Sequence, residues 1–118
     1  MPTRRRPQHR SVLFDVVDDH LEMKVSFSDQ PDAGYVHRCT DEVFREVAHA
    51  IEERASKGVT LDDLAEALDA PFTQVNVALS FLKERGCVEV RRRRSYPAST
   101  ALYEDAMTEY TFLAGAPY

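Results

Sequence analysis

The side chains best suited to chemistry in this chain are cationic and polar, and they lie between positions 73 and 96. Residues 91–94 are four consecutive arginines, whose guanidinium groups are suited to contact the phosphates of a nucleic acid. Before them come polar side chains able to hydrogen-bond to base edges or phosphates, and after them an aromatic side chain able to stack on a base. The candidate nucleic-acid-binding residues are Thr73, Gln74, Asn76, Ser80, Lys83, Arg91, Arg92, Arg93, Arg94 and Tyr96.

Other reactive side chains form no constellation that predicts catalysis. His37 and Cys39 are the only close His/Cys pair, whereas a zinc site needs three or four ligands. The run Asp18-Asp19-His20 could mimic an acid–base group, but it is more typical of a polar turn. There is no glycine-rich phosphate loop, nucleophile elbow or zinc-protease motif. We therefore expect no enzymatic activity, no metal site and no cofactor.

The charge is distributed unevenly along the 118 residues. The net charge is −5, yet residues 1–10 hold four arginines and no acid, and residues 91–94 are all arginine. An acidic body with two basic points favours one focused contact over indiscriminate coating of a polyanion. The alternative is that these arginines are solvated and have no partner.

Several features predict a cytoplasmic protein with a single domain. No apolar run is long enough to cross a bilayer, and the basic start lacks the apolar segment of a secretory signal. The two cysteines, Cys39 and Cys87, are far apart, which favours reduced thiols over a disulfide framework.

The N-terminal third reads as an arm, a hairpin and a loop. Residues 1–10 predict a disordered basic arm. Apolar and polar residues alternate over 11–28, which predicts a β-hairpin, with a helix over 11–24 as the alternative. Residues 29–39 contain Pro31 and Gly34 and predict a loop.

Apolar periodicity then predicts three helices. Thr40 is an N-cap for the first helix, whose apolar stripe extends to Ala55 before Gly58 stops it. A capping box of Thr60 and Asp63 begins a second helix over 61–68.

The third helix is expected between Pro71, in its first turn, and Gly86 at its end. A strand over 87–91, a loop over 92–95 and a short returning strand over 96–98 should follow. Ser99 or Thr100 would cap a last helix, and residues 114–118 form a tail.

In this order the chain resembles winged helix-turn-helix DNA-binding domains, such as small bacterial regulators of the ArsR, MarR and PadR type. The resemblance covers residues 40–113. It predicts an α+β fold, mainly α with a small β component: a winged helix-turn-helix domain over 40–113, preceded by the hairpin and loop over 11–39. It rests on Leu64, Ala65, Leu68, Val75, Leu79, Leu82, Gly86 and Val88.

The resemblance implies a DNA-binding transcriptional regulator whose third helix enters the major groove. Periodicity places Val75, Leu79 and Leu82 on the core side of that helix and Val77 and Phe81 on the outward side, which carries no Arg or Lys. We therefore expect phosphate contacts from an arginine-rich wing and only weak base readout from the third helix.

The partners expected are double-stranded DNA and a second copy, bound through the C-terminal helix or the N-terminal hairpin. The alternative is a winged-helix protein-interaction module without DNA binding, supported by the outward Val77/Phe81 face. RNA binding through the arginines is a third possibility.

Overall fold

The computed structural model describes residues 10–115. It has an α+β fold of four α-helices and two antiparallel sheets. The expected arm over 1–10 and the end of the expected tail lie outside the described residues, apart from Arg10. In chain order the elements are β1 (Arg10–Val17), β2 (His20–Phe27), a short 3₁₀ turn (Pro31–Ala33), β3 (Tyr35–Thr40), α1 (Asp41–Glu53), α2 (Leu61–Leu68), α3 (Phe72–Glu84), β4 (Val88–Arg91), β5 (Arg94–Pro97) and α4 (Leu102–Leu113).

The predicted N-terminal hairpin is confirmed, and the alternative helix over 11–24 is wrong. β1 and β2 pair in antiparallel register around the two-residue turn of Asp18 and Asp19, whose φ angles are 50° and 61°. The loop expected over 29–39 is wrong in its second half, because β3 adds a third strand beside β2. Gly34 permits this return, since a Cβ there would lie 2.9 Å from the carbonyl oxygen of Val25.

Local capping signals located the beginnings of α1 and α2 correctly. The Thr40 hydroxyl accepts a hydrogen bond from the Val43 N–H, and Thr60 and Asp63 form both bonds of a capping box. α1 nevertheless ends at Glu53, five residues before Gly58, which was expected to stop it. Residues 54–57 form a turn that leads into Gly58, which has a φ of 71°.

The third helix is buried on more sides than expected. The prediction that Val77 and Phe81 face outward is wrong: both are fully buried, because the N-terminal sheet packs over that side of α3. The Phe81 ring meets Phe14 of β1 edge-on at 5.3 Å and Phe44 of α1 at 5.7 Å. α3 is therefore the central element of the core, between the sheet and the other helices.

The last two elements differ from expectation at their ends. The returning strand begins at Arg94 rather than at residue 96, so that only two residues remain in the turn after β4. α4 begins at Leu102 without a side-chain cap from Ser99 or Thr100. Instead, the Tyr103 N–H donates to Glu52 Oε1 at 3.1 Å, a tertiary contact that fixes the start of α4 on α1.

Candidate nucleic-acid interface

The four arginines lie on a tight hairpin formed by β4, a two-residue turn and β5, here called the arginine hairpin (residues 88–97). Arg92 and Arg93 form the turn with φ angles of 51° and 68°, in the left-handed region. An L-residue other than Gly, Asn or Asp pays about 1–2 kcal/mol for that conformation. Two-residue hairpins of this kind favour Asn-Gly, which avoids most of that cost. Long cationic side chains at the tip are thus kept against the local backbone preference.

The structure divides the four arginines into one anchor and three exposed cations. Arg94 donates from Nε to the Lys57 carbonyl oxygen and from Nη2 to that of Gly58, both at 3.0 Å, and its Nη2 lies 3.1 Å from Asp63 Oδ2. Residues 91–93 are exposed, and none of them forms an ion pair with any residue between positions 10 and 115.

The hairpin is held firmly against the segment between α1 and α2. Val59 and Ser95 exchange two backbone hydrogen bonds, of 2.9 and 2.8 Å. The Tyr96 ring lies over Gly58, where a Cβ would come within 2.7 Å of it. Hydrogen bonds from the backbone and side chain of Thr60, and then the charge of Arg94, lower the pKa of Asp63. The exposed arginines therefore project from a fixed base.

Tyr96, the aromatic residue among the candidates, packs within the hairpin. The Arg91 guanidinium lies over the Tyr96 ring, 4.1 Å from its centroid, in a cation–π contact. The ring is half-buried between Arg91 and Gly58, so that it supports the hairpin from below.

Two cations near the hairpin were missed by sequence reasoning. Arg54 and Lys57 are exposed and, with Arg94, line a cleft of about 510 Å³. Three acidic residues, Glu53, Asp63 and Glu66, line the same cleft. A neighbouring depression of about 490 Å³ lies between the α1–α2 turn and Arg91 and Arg92. We refer to Arg54, Lys57, Arg91, Arg92 and Arg93 together as the basic edge.

A signal for these two cations was present in the sequence. Val59 is a β-branched residue between Gly58 and the Thr60 cap, which is typical of a very short strand, and in the structure it bridges to Ser95 of the arginine hairpin. Pairing Val59 with that hairpin brings residues 54–57 beside the arginines.

The predicted residues of α3 lie on a narrow polar stripe. Thr73 and Lys83 are exposed at its two ends, and Asn76 and Ser80 are half-buried between them, with Ser80 Oγ 3.5 Å from Asn76 Oδ1. Gln74 Oε1 already accepts a hydrogen bond from the backbone N–H at the end of β3, at 3.1 Å. No α3 residue lines either depression beside the arginine hairpin, so the stripe and the basic edge are separate surfaces.

The remaining reactive groups have structural surroundings. Burial raises the pKa of the Cys39 thiol to about 12, helped by the nearby Asp41 carboxylate, and burial raises that of Cys87 to about 11. Asp18 and Asp19 form the polar turn that was expected, and His20 Nδ1 lies 2.8 Å from the Asp18 carbonyl oxygen. Within residues 10–115 no three His, Cys, Asp or Glu side chains lie close enough together to hold a metal ion.

Comparison with known proteins adds no relative to these observations. No protein-family model matches the chain, and no curated protein or solved structure matches it significantly. In the part of the chain that the structure describes, no helix has both the length and the apolar character needed to cross a bilayer.

Proposed function

We propose that this protein binds duplex DNA through the basic edge and acts as a regulator-like protein of the winged-helix type. The element order supports this proposal: α1, α2 and α3 are followed by a two-stranded hairpin, and Val59 adds a single bridge to that hairpin at Ser95. In a winged helix such a hairpin is the wing.

The observation that carries the proposal is the state of the hairpin tip. Three guanidinium groups are exposed and have no acidic partner within residues 10–115, although the chain as a whole has a net charge of −5. Two of these arginines, Arg92 and Arg93, have a strained backbone with positive φ angles. A polyanion such as DNA can pair its phosphates with all three of these guanidinium groups.

The expected binding is dominated by phosphates and therefore depends strongly on salt. If all five cations of the basic edge contact phosphates, the slope of log K against log salt is about −4.5. Phosphate contacts carry no sequence information, so this surface alone binds duplexes of different sequence with similar affinity.

Base readout from α3 is confined to the polar stripe in this proposal. The N-terminal sheet covers Val77 and Phe81, so α3 cannot present a broad face to a groove. Thr73 and Lys83, at the exposed ends of the stripe, remain as direct contacts, which makes any sequence preference weak.

A matched pair of variants tests the proposal. Fluorescence anisotropy with a random-sequence duplex, measured over a range of salt concentrations, should give a saturable, salt-sensitive isotherm for the parent chain. The triple variant R91Q/R92Q/R93Q should lower the steepness of the salt dependence by about 2.7. The variant K24Q/R38Q/R45Q also loses three positive charges, at other places on the surface, and should leave that slope unchanged. Equal binding by the two variants would refute the role of the hairpin.

The alternative proposal, a protein-interaction module, now rests on a different surface. Its original basis, an outward Val77/Phe81 face, is absent because both residues are buried. The outer face of the N-terminal sheet, however, exposes Leu13 by 67%, Val17 by 40% and Val36 by 46%. Such exposed apolar side chains favour contact with a second protein or a second copy of the chain.

The two candidate dimer surfaces can be separated by sedimentation. On α4, Phe112 is 64% exposed. If the chain dimerises through the sheet, L13K should produce a monomer and F112K should not. The opposite result would assign the dimer to α4, and a monomeric parent would exclude both.

A further inference from the structure

Another cavity lies between the last turns of α3 and the inner face of the N-terminal sheet. Its volume is about 280 Å³. The floor is apolar and consists of Val12 and Phe14 of β1 and Met23 of β2. Met23 is almost fully buried, whereas Val12 and Phe14 are only half-buried although they face the core. Apolar surface is therefore left uncovered where the sheet and α3 separate.

The rim of this cavity is polar and predominantly cationic. Arg10 and Lys83 lie on it, and neither forms an ion pair within the part of the chain that the structure describes. Glu84 supplies the one carboxylate, but its Oε1 lies 3.1 Å from Arg85 Nε, in a geometry too oblique for a hydrogen bond. Arg85 also pairs with Glu109 at 3.4 Å, so it is shared between two carboxylates. The rim therefore carries two cations and one carboxylate, and its net charge is positive.

We infer that this cavity binds a small amphipathic carboxylate, with its apolar part on Val12 and Phe14 and its carboxylate between Arg10 and Lys83. An apolar pocket with a few convergent polar groups is the usual form of a small-molecule site. The Ser80 hydroxyl, whose contact with Asn76 is long at 3.5 Å, can donate a further hydrogen bond to the ligand.

Volume and charge define the ligand class. At water's share of about 30 Å³ per molecule in the liquid, the cavity has room for about nine or ten non-hydrogen atoms. A primary amine of that size is disfavoured by the two cations, and a neutral alcohol gains only the apolar contact. The site therefore selects for a medium-chain aliphatic or a small aromatic carboxylate.

The methionines provide a local readout. The chain has three, and in the described residues Met23 lies in the cavity floor while Met107 lies on α4. With [¹³C-methyl]methionine-labelled protein, titration with octanoate should shift the Met23 methyl resonance saturably and leave that of Met107 in place. The variants M23L and M107L assign those two signals, and the remaining one belongs to Met1. Octylamine should produce no such shift, and 1-octanol should bind about tenfold more weakly than octanoate.

Two substitutions separate the charge contribution from general effects. K83A should weaken octanoate binding about tenfold and leave 1-octanol binding unchanged, because only the carboxylate contact is lost. K24A removes an exposed lysine from the opposite face of the sheet and should change neither.

An unshifted Met23 methyl at millimolar octanoate would overturn the inference. Equal affinity for octanoate, 1-octanol and octylamine would do the same, and so would unchanged octanoate binding in K83A. No DNA is present in these titrations, so their outcome is independent of the proposed function.

Discussion

Replacing the tip of the arginine hairpin should stabilise the fold and weaken DNA binding at the same time. The change is R92N/R93G, which puts the residues that a two-residue hairpin turn favours at positions with φ angles of 51° and 68°. A gain in stability together with a loss of function is the result expected where a sequence retains strain for the sake of its side chains.

The stability change follows from the backbone. Relief of about 1–2 kcal/mol per left-handed residue is offset by the entropy of the new glycine and by the remaining cost of Asn, which leaves a net gain of about 1 kcal/mol. For a domain of this size the melting temperature should rise by about 4 °C. Differential scanning calorimetry measures this shift directly.

The binding change follows from the two lost phosphate contacts. The slope of log K against log salt should fall by about 1.8, which corresponds to about sixtyfold weaker binding at about 0.1 M salt. Fluorescence anisotropy on a random-sequence duplex measures both quantities.

Two controls separate backbone from charge. R92K/R93K keeps both cations and the strained turn, so binding should change little and stability should not rise. D18N/D19G makes the same backbone change at the other hairpin, where both turn residues also have positive φ, and should not weaken DNA binding. An R92N/R93G protein that binds with the parent's affinity and salt slope would refute the interface. One that is less stable than the parent would refute the strain argument.

Four further outcomes are expected. R94Q should lower the free energy of unfolding by about 1–3 kcal/mol in urea titrations, because the anchor's charged hydrogen bonds are lost. The pKa of Asp63 is lowered in the folded protein, so this carboxylate stabilises the fold at pH values above its ordinary pKa, and the contribution disappears as the pH falls below about 4. The stability of D63N should therefore depend less steeply on acid pH than that of the parent. F81A should lower the free energy of unfolding by about 3–5 kcal/mol in urea titrations, and near-parental stability would contradict the burial of that ring. The thiols of Cys39 and Cys87, whose pKa values are raised to about 12 and 11, should react far more slowly with Ellman's reagent at pH 8 than after unfolding, and rapid reaction in the native state would contradict their burial.

The elements that sequence predicted best are those whose determinants are local. The Thr40 cap and the Thr60–Asp63 box act over three residues, so the beginnings of α1 and α2 could be read directly. β3 was missed because Pro31 and Gly34 dominate the pattern before it, while the pairing that makes it a strand joins Cys39 to Leu21 across the sheet.

The burial of α3 was misjudged for a related reason. Its apolar residues occupy more than one face, which is typical of a helix covered on several sides. Val77 and Phe81 were nevertheless assigned to the outward face, because periodicity places them opposite the face of Val75, Leu79 and Leu82. The covering strands end at Thr40, more than thirty residues before α3 begins, and no local pattern joins them to α3.

The arginine run was evident from the sequence, but its division into anchor and free cations was not. Arg94 bonds to groups at positions 57, 58 and 63, between 31 and 37 residues away, so four identical neighbours looked equivalent. Only the register of β4 with β5 and the bridge from Val59 to Ser95 decide which guanidinium turns inward.

That division bears on how the proposed interface would work. A flexible arginine run loses side-chain and backbone entropy when it binds a phosphate chain, which weakens the contact. Here one arginine and a two-hydrogen-bond bridge fix the base of the hairpin before any partner arrives, so only the side chains of residues 91–93 remain to be ordered. R94Q should therefore weaken DNA binding even though Arg94 makes no phosphate contact in the proposal, and it should do so without changing the salt slope. A reduced slope in R94Q would instead show that Arg94 itself contacts phosphate.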